Sequence, residues 1–266
     1  PSKGVIAIGE MNESVTWSLY DDGELMITGN GDMPDYESYM DTPWYLNYRY
    51  ECVRKLVIGK DITTIGRYCF QNLSNLTEVC FEGENVEKIN EGAFMQCKSL
   101  QELVIPESVK EIGKGAFWGD IALKNIKLSE NIYSINVGVF GDCTSLCDIT
   151  IPSSVGRIDS TAFYNCTSLT YIKIPDTVKE IAGAAFINCK NLSQVVLPNQ
   201  LTAIQGQTFD GCLKLCQINI PYTVKKIESK AFNNCGSLKI IELSKEFTTL
   251  EDGAFNNCND LKIIRY

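Results

Sequence analysis

Ala162-Phe163-Tyr164-Asn165-Cys166-Thr167-Ser168-Leu169, running on to Ile172, Ile174 and Pro175, is a pattern the chain repeats. Phenylalanine recurs at Phe70, Phe94, Phe117, Phe140, Phe163, Phe186, Phe209, Phe232 and Phe255; the first interval is 24 residues and the other seven are 23. Six residues after each stands a leucine, from Leu76 and Leu100 to Leu238 and Leu261. Nine after comes an aliphatic residue (Val79, Leu103, Ile126, Ile149, Ile172, Val195, Ile218, Ile241, Ile264), and eleven after another large apolar one, often followed by Pro106, Pro152, Pro175, Pro198 or Pro221. The last two apolar positions alternate with outward residues, as a half-buried strand requires. Proline then ends the pairing, because it brings no N–H to a ladder. A second apolar pair follows (Val155 and Ile158, Val178 and Ile181), and a small residue, usually Ala, precedes the next Phe. One unit therefore reads as a strand, a tight turn, a short return segment and a Phe-filled corner. A single unit cannot bury both of its apolar edges, whereas stacked units bury them continuously, so the repeat specifies a solenoid. Val53, Leu56, Ile58, Ile62 and Ile65 hold the same phase before Phe70, which places the solenoid at residues 51–266, about nine to ten coils.

The motif Ala-Phe-x-x-Cys-x-x-Leu-x-x-Ile-x-Ile-Pro resembles the BspA-type leucine-rich repeat family, met in surface proteins of gut and oral bacteria. The resemblance covers most of the chain. It implies a leucine-rich repeat solenoid with a parallel sheet, and a non-enzymatic adhesion or protein-binding module at the bacterial cell surface or outside the cell. Two corners depart from the motif: Phe70 is followed by Leu73 and Phe117 by Asp120, where Cys is usual. The Phe117 corner reads Trp118-Gly119-Asp120, and its turn is expected to differ locally.

Residues 1–50 do not carry the repeat and are expected to cap the open edge of the first coil. Val15–Leu19 and Leu25–Ile27 alternate around Asp22-Gly23, a β-hairpin signal. Gly29-Asn30-Gly31 lacks the third glycine and the lysine of a phosphate loop, so no nucleotide is expected. Thr42-Pro43-Trp44-Tyr45 looks like a helix N-cap with Pro at the first position. This region is also similar to the segment ahead of the repeats in the family. Tyr36, Tyr39, Trp44, Tyr45, Tyr48 and Tyr50 admit two readings. They are either a cover for the first coil or an aromatic platform for glycan rings or a protein partner, with Trp44 as its candidate ligand residue.

The chain of 266 residues has 12 cysteines, no histidine, 24 Lys+Arg and 33 Asp+Glu, a formal net charge of -9. Without His there is no Ser-His-Asp or Cys-His system and no His-based zinc helix, and an acidic chain is a poor partner for nucleic acid. No constellation of catalytic groups stands outside the repeat phase, so an enzyme is not expected. No apolar run is long enough for membrane insertion, and no leader-like segment stands at Pro1, which reads as a mature or trimmed start. Seven cysteines share one repeat position: Cys97, Cys143, Cys166, Cys189, Cys212, Cys235 and Cys258. Their side chains point the same way along a ladder, which favours free thiols over disulfides. Asn often precedes them and is expected to bond turn backbone. Cys147 and Cys216 share an outward phase but stand three coils apart, roughly 14 Å at ladder spacing. No CxxC pair exists, so neither a metal nor another cofactor is expected.

The outward strand positions escape the demands of the core. One row reads Glu78, Glu102, Asn125, Asp148, Tyr171, Gln194, Gln217, Ile240, Ile263; the other reads Cys80, Val104, Lys127, Thr150, Lys173, Val196, Asn219, Glu242, Arg265. Lys127, Asp148, Tyr171, Lys173 and Gln194, at the centre, mix charge, amide and aromatic character and are the candidate ligand-binding residues, with a protein or a glycan as partner. No polar capping sequence follows Ile264-Arg265-Tyr266, so the last strand edge is expected to stay open unless the sequence continues.

Overall fold

The computed structural model describes residues 3–266; Pro1, on which the reading of a mature start rests, lies outside the described residues. The Phe163 coil shows how one repeat closes. Phe163 and Leu169 are wholly buried, and the Leu169 N–H donates to the Cys166 carbonyl at 3.2 Å, turning the chain out of the corner. Tyr171–Lys173 is a strand with only Ile172 inward. The Pro175 carbonyl accepts the Val178 N–H at 3.0 Å, so the proline that ends the strand also starts the turn after it. The return segment is more than a connection: Glu180–Ile181 forms a second strand, paired in parallel with Arg157–Ile158 one coil back.

The solenoid thus has two parallel ladders. In the first sheet, β1 (Val5–Glu10), β2 (Val15–Tyr20) and β3 (Glu24–Gly29) lead into Lys55–Ile58 and Glu78–Phe81. Two groups of three strands follow, first Glu102–Val104 with Asn125–Lys127 and Asp148–Ile149, then Tyr171–Lys173 with Gln194–Val196 and Gln217–Ile218. Ile240–Leu243 and Lys262–Arg265 close the series. The second sheet is interrupted at other places, after Glu111–Ile112 and after Glu180–Ile181.

The corner has no such breaks. Phe70, Phe163 and Phe232 each donate their N–H to the residue before the next Phe, at 2.8 Å, and the nine rings stack with centroids 5.0–5.9 Å apart. This aromatic spine is the continuous element of the fold.

Two positions in every corner have left-handed backbone, two residues before and two after each Phe, with φ between 55° and 79°. That explains the Asn at Asn72, Asn165, Asn188, Asn234 and Asn257, a residue that tolerates this region. The expectation that these Asn bond turn backbone is corrected: Asn165 donates to Asp142 Oδ1 at 2.8 Å and Asn257 to Asn234 Oδ1 at 2.8 Å, side chain to side chain between coils. The Phe117 turn is also corrected. Gly119 is left-handed like its equivalents, and the Asp120 N–H donates to the Phe117 carbonyl at 3.2 Å as the cysteines do in other corners. What differs is the side chains. Trp118 lies across Gly141, where a Cβ would come within 2.2 Å of its ring, and stacks on Tyr164 two coils on, at 5.5 Å.

The hairpin forms as expected, with Trp17 opposite Ile27 and Gly23 at φ 85°. Its second strand, β3, then pairs in parallel with Lys55–Ile58, and β4 (Gly31–Asp32) pairs with Ile62–Ile65. Residues 24–52 therefore trace an extra coil without the repeat sequence. Helix α1 (Pro43–Leu46) starts at Thr42 as expected, but the Thr42 hydroxyl donates to the Tyr39 carbonyl at 2.6 Å and does not cap the helix.

The last strand is displaced by one residue. Lys262, not Ile263, stands opposite Ile240, and Ile264, not Arg265, opposite Glu242. Among the described residues this strand has a neighbour on one side only, and a single ladder holds its register.

Candidate functional site

The first-sheet face carries Lys127, Asp148, Tyr171, Lys173 and Gln194. Its backbone comes from strands in which every second residue is buried, so these side chains leave the sheet with nothing above them. Tyr171 stands opposite Gln194, and Lys173 opposite Val196, one coil apart. Tyr171 is 47 % exposed, and Asp148 and Lys173 are exposed on either side of it. Asp148, Tyr171 and Lys173 line one groove of about 540 Å³ with Cys147, Thr150, Ser153 and Pro175. This groove lies where the first ladder is interrupted, between Asp148–Ile149 and Tyr171–Lys173. Gln194 belongs to a second groove, of about 660 Å³, that reaches across the next interruption to Ile240 and Glu242. Lys127 lines neither groove; it sits on the adjacent strand and touches Glu107 at 3.6 Å.

Charge pairing separates this face from the second one. On the second sheet Lys88 pairs with Glu111 at 3.1 Å, Arg157 with Asp159 and with Glu180 (2.9 Å), and Lys226 with Glu228 at 3.3 Å and Glu251 at 2.7 Å. The Lys226 ammonium and the Ser229 N–H hold the Glu251 carboxyl below its ordinary range. The second face thus uses most of its charge on itself. On the first face Lys55 bridges Glu78 at 2.9 Å near the N-terminal end, but Glu102, Asp148 and Lys173 have no ion pair among the described residues. Exposed Val104, Tyr171, Val196 and Ile240 alternate with them. Desolvating the stretch around Asp148, Tyr171 and Lys173 sacrifices no internal salt bridge of these residues, whereas Lys127 and Lys55 keep theirs with Glu107 and Glu78.

Trp44 is corrected as a ligand residue. It is 1 % exposed and stacks on Phe70 at 5.4 Å, so it is the first ring of the aromatic spine and meets no solvent. Trp17 meets its edge at 6.2 Å. Of the neighbouring tyrosines, Tyr45 and Tyr50 stack on one another at 4.8 Å and Tyr48 stands out in solvent. Of the other groove residues, Thr150 stands in an outward row of the sequence, whereas Ser153 and Pro175 carry no signal beyond their place beside outward positions. The sequence also does not show the ladder interruptions that open the grooves.

All twelve cysteines are free. The ladder thiols fill the corner and bond backwards: Cys143, Cys166 and Cys189 donate to the carbonyls of Phe117, Phe140 and Phe163 at 3.0–3.1 Å. Burial pushes the Cys143 and Cys166 thiols well above the ordinary range, which keeps them protonated and unreactive. Cys147 and Cys216 are exposed, each at the entry to a groove-lining strand. No group of three or more metal-ligating side chains forms among the described residues.

A family model for the BspA type leucine-rich repeat region matches residues 46–170 and 156–266. The chain belongs to the BspA-type leucine-rich repeat family. BspA-type proteins are generally protein-interaction or surface modules and typically non-enzymatic. The pneumococcal vaccine antigen PcpA has a similar structure, with 18% identity, 97% of this chain and 82% of that one covered, and a TM-score of 0.56. A leucine-rich repeat protein of T. pallidum is similar at 22% identity over 86% of this chain and 91% of that one, with a TM-score of 0.53. At these identities the likeness is one of fold. No curated protein matches the chain. No helix among the described residues of this BspA-type chain is long and apolar enough to cross a membrane.

Proposed function

We propose that the chain is a non-catalytic, extracellular or cell-surface module that binds a protein through its first-sheet face, centred on Asp148, Tyr171 and Lys173. The observation that carries this reading is the difference in charge pairing. The second face is stitched together by ion pairs between coils, whereas around Asp148 and Lys173 the first presents charge without ion pairs among the described residues, beside exposed aromatic and aliphatic side chains. Association then gains new contacts without breaking old ones. A surface location is supported by the family and by a similar protein described as a vaccine antigen. The test is capture from arrays of purified extracellular and cell-surface proteins and of glycans, by the wild type and by three variants. Lys127→Glu with Lys173→Glu, and separately Tyr171→Ala, are expected to lower affinity at least tenfold. Arg157→Glu with Lys226→Glu, on the second face, is expected to leave it unchanged. Binding that ignores the first-face variants overturns the reading. Capture by glycans that is lost on Tyr48→Ala instead transfers the site to the N-terminal tyrosines.

A further inference from the structure

The Phe117 corner holds the one departure from the thiol column that is charged in water. Asp120 is 0 % exposed and sits where every other corner has Cys except that of Phe70, which has Leu73. A thiol at this position does two jobs. It donates to the carbonyl of the Phe one coil back, as Cys143 does to Phe117, Cys212 to Phe186 and Cys235 to Phe209, at 3.1–3.3 Å. Its sulfur also lies beside the backbone N–H of the same position one coil back, that of Asp120 for Cys143 and that of Cys212 for Cys235, and this polar contact partly offsets the cost of burial. Asp120 visibly does the second job: its Oδ1 accepts the Cys97 N–H at 2.8 Å. Its Oδ2 is buried without any partner. By the register of the column, the group it faces is the Phe94 carbonyl, which accepts the Cys97 N–H at 3.2 Å and, like the Phe117 carbonyl beside Cys143, can accept a second donor. A carboxylate has no hydrogen to give and would set one acceptor against another, whereas a carboxylic acid both accepts and donates.

We propose that Asp120 is a neutral carboxylic acid in the folded protein, its O–H replacing a thiol and donating to the Phe94 carbonyl, and that this makes the coil carrying Asn125–Lys127 a pH-sensitive joint in the solenoid. The titratable groups facing it are the Cys97 thiol from the coil before and the Cys143 thiol from the coil after; no cation pairs with it among the described residues. Burial drives the Asp120 carboxyl well above the ordinary carboxylate range, opposed only by the Cys97 N–H. The joint reaches the surface through backbone: the Leu123 N–H donates to the Asp120 carbonyl at 3.0 Å, two residues before the strand that presents Asn125 and Lys127.

A raised folded-state pKa sets the sign. The contribution of Asp120 is full below the pKa of the unfolded chain and is lost as pH rises through the folded pKa. Urea unfolding of the wild type, Asp120→Asn and Asp120→Cys across pH tests this. Asn at any pH, and Cys below the range in which a free thiol ionises, both accept and donate uncharged, so both variants are expected to be more stable than the wild type at neutral pH. The ratio of unfolding constants, wild type over variant, is expected to rise about tenfold per pH unit between the two pKa values. A ratio that does not change with pH overturns the proposal. A second measurement needs no variant to fold: infrared spectroscopy of the wild type with isotope-labelled aspartate is expected to show the carbonyl stretch of a protonated acid at neutral pH. Only ionised carboxylate bands in that spectrum would equally sink it.

Discussion

The two sheets of the solenoid come from the same repeat and face solvent with opposite habits. From Lys88–Ile89 onward the second sheet contributes two residues per coil, and its outward positions place Lys88 against Glu111 and Arg157 against Glu180 at matched register. The first sheet contributes up to four, and past Glu78 its outward rows place Glu102 beside Asn125, Asn125 beside Asp148, and Tyr171 beside Gln194. One face closes its own electrostatics between coils; the other leaves its charge and apolar surface uncommitted. A repeat fixes only the inward residues, so each outward row is free to serve either stability or recognition, and here the ladder of ion pairs between coils falls to the second row.

The largest break comes from removing what both faces share. Phe163 is wholly buried between the rings of Phe140 and Phe186, at 5.4 and 5.0 Å. Phe163→Ala is expected to cost about 3–5 kcal/mol, because the rigid coils on either side cannot collapse into the space. Apart from long side chains such as Trp118, which reaches Tyr164 two coils on, each coil touches its immediate neighbours, so the damage should split the stack locally. Hydrogen exchange is expected to rise in both strands of this coil and its neighbours and to leave β2 and β3 protected. Uniform exchange along the whole chain would mean that the spine is not a sum of nearest-neighbour contacts.

The middle effect tests the second face alone. Arg157 lies half exposed between Asp159 and Glu180, so screening by water limits each pair. Arg157→Met is expected to cost roughly 0.5–1 kcal/mol in low salt, from two such pairs, and less in high salt. Loss of stability that is insensitive to salt would assign the effect to the packing of the arginine stem and weaken the contrast between the faces.

Much of this contrast was legible in the sequence, though not all of it was read. The spacing of Phe, Leu and Ile names the core because burial acts identically on each coil. Lys88 and Glu111, or Arg157 and Glu180, are 23 residues apart, so their pairing follows once the second strand is known to be a ladder. That strand is hard to see because two residues are too few for alternation to show. Trp44 escaped for another reason: it fills the place of a repeat Phe from a segment with no repeat spacing, and only the stack on Phe70 reveals its role. The Asn that precedes the ladder cysteines is plain in the sequence, but its cause is backbone geometry, which a side-chain inventory cannot show. The grooves depend on where the first ladder breaks, a property of accumulated strand geometry over several coils that no single repeat encodes.

The smallest expected effect is also the sharpest test of the division of labour. Lys173 is exposed, has no ion pair among the described residues and projects beside Tyr171. If the first face contributes little to folding, Lys173→Glu should change stability by less than about 0.5 kcal/mol, within the range of ordinary surface substitutions. The same charge reversal at Arg157 removes two attractions and adds two repulsions with Asp159 and Glu180, so it should cost more than Arg157→Met does. Paired urea melts of the two reversals, in low and high salt, measure this difference directly. A Lys173→Glu penalty equal to that of Arg157→Glu would mean that the first face also holds the coils together, and its free charge would then be no guide to where a partner binds.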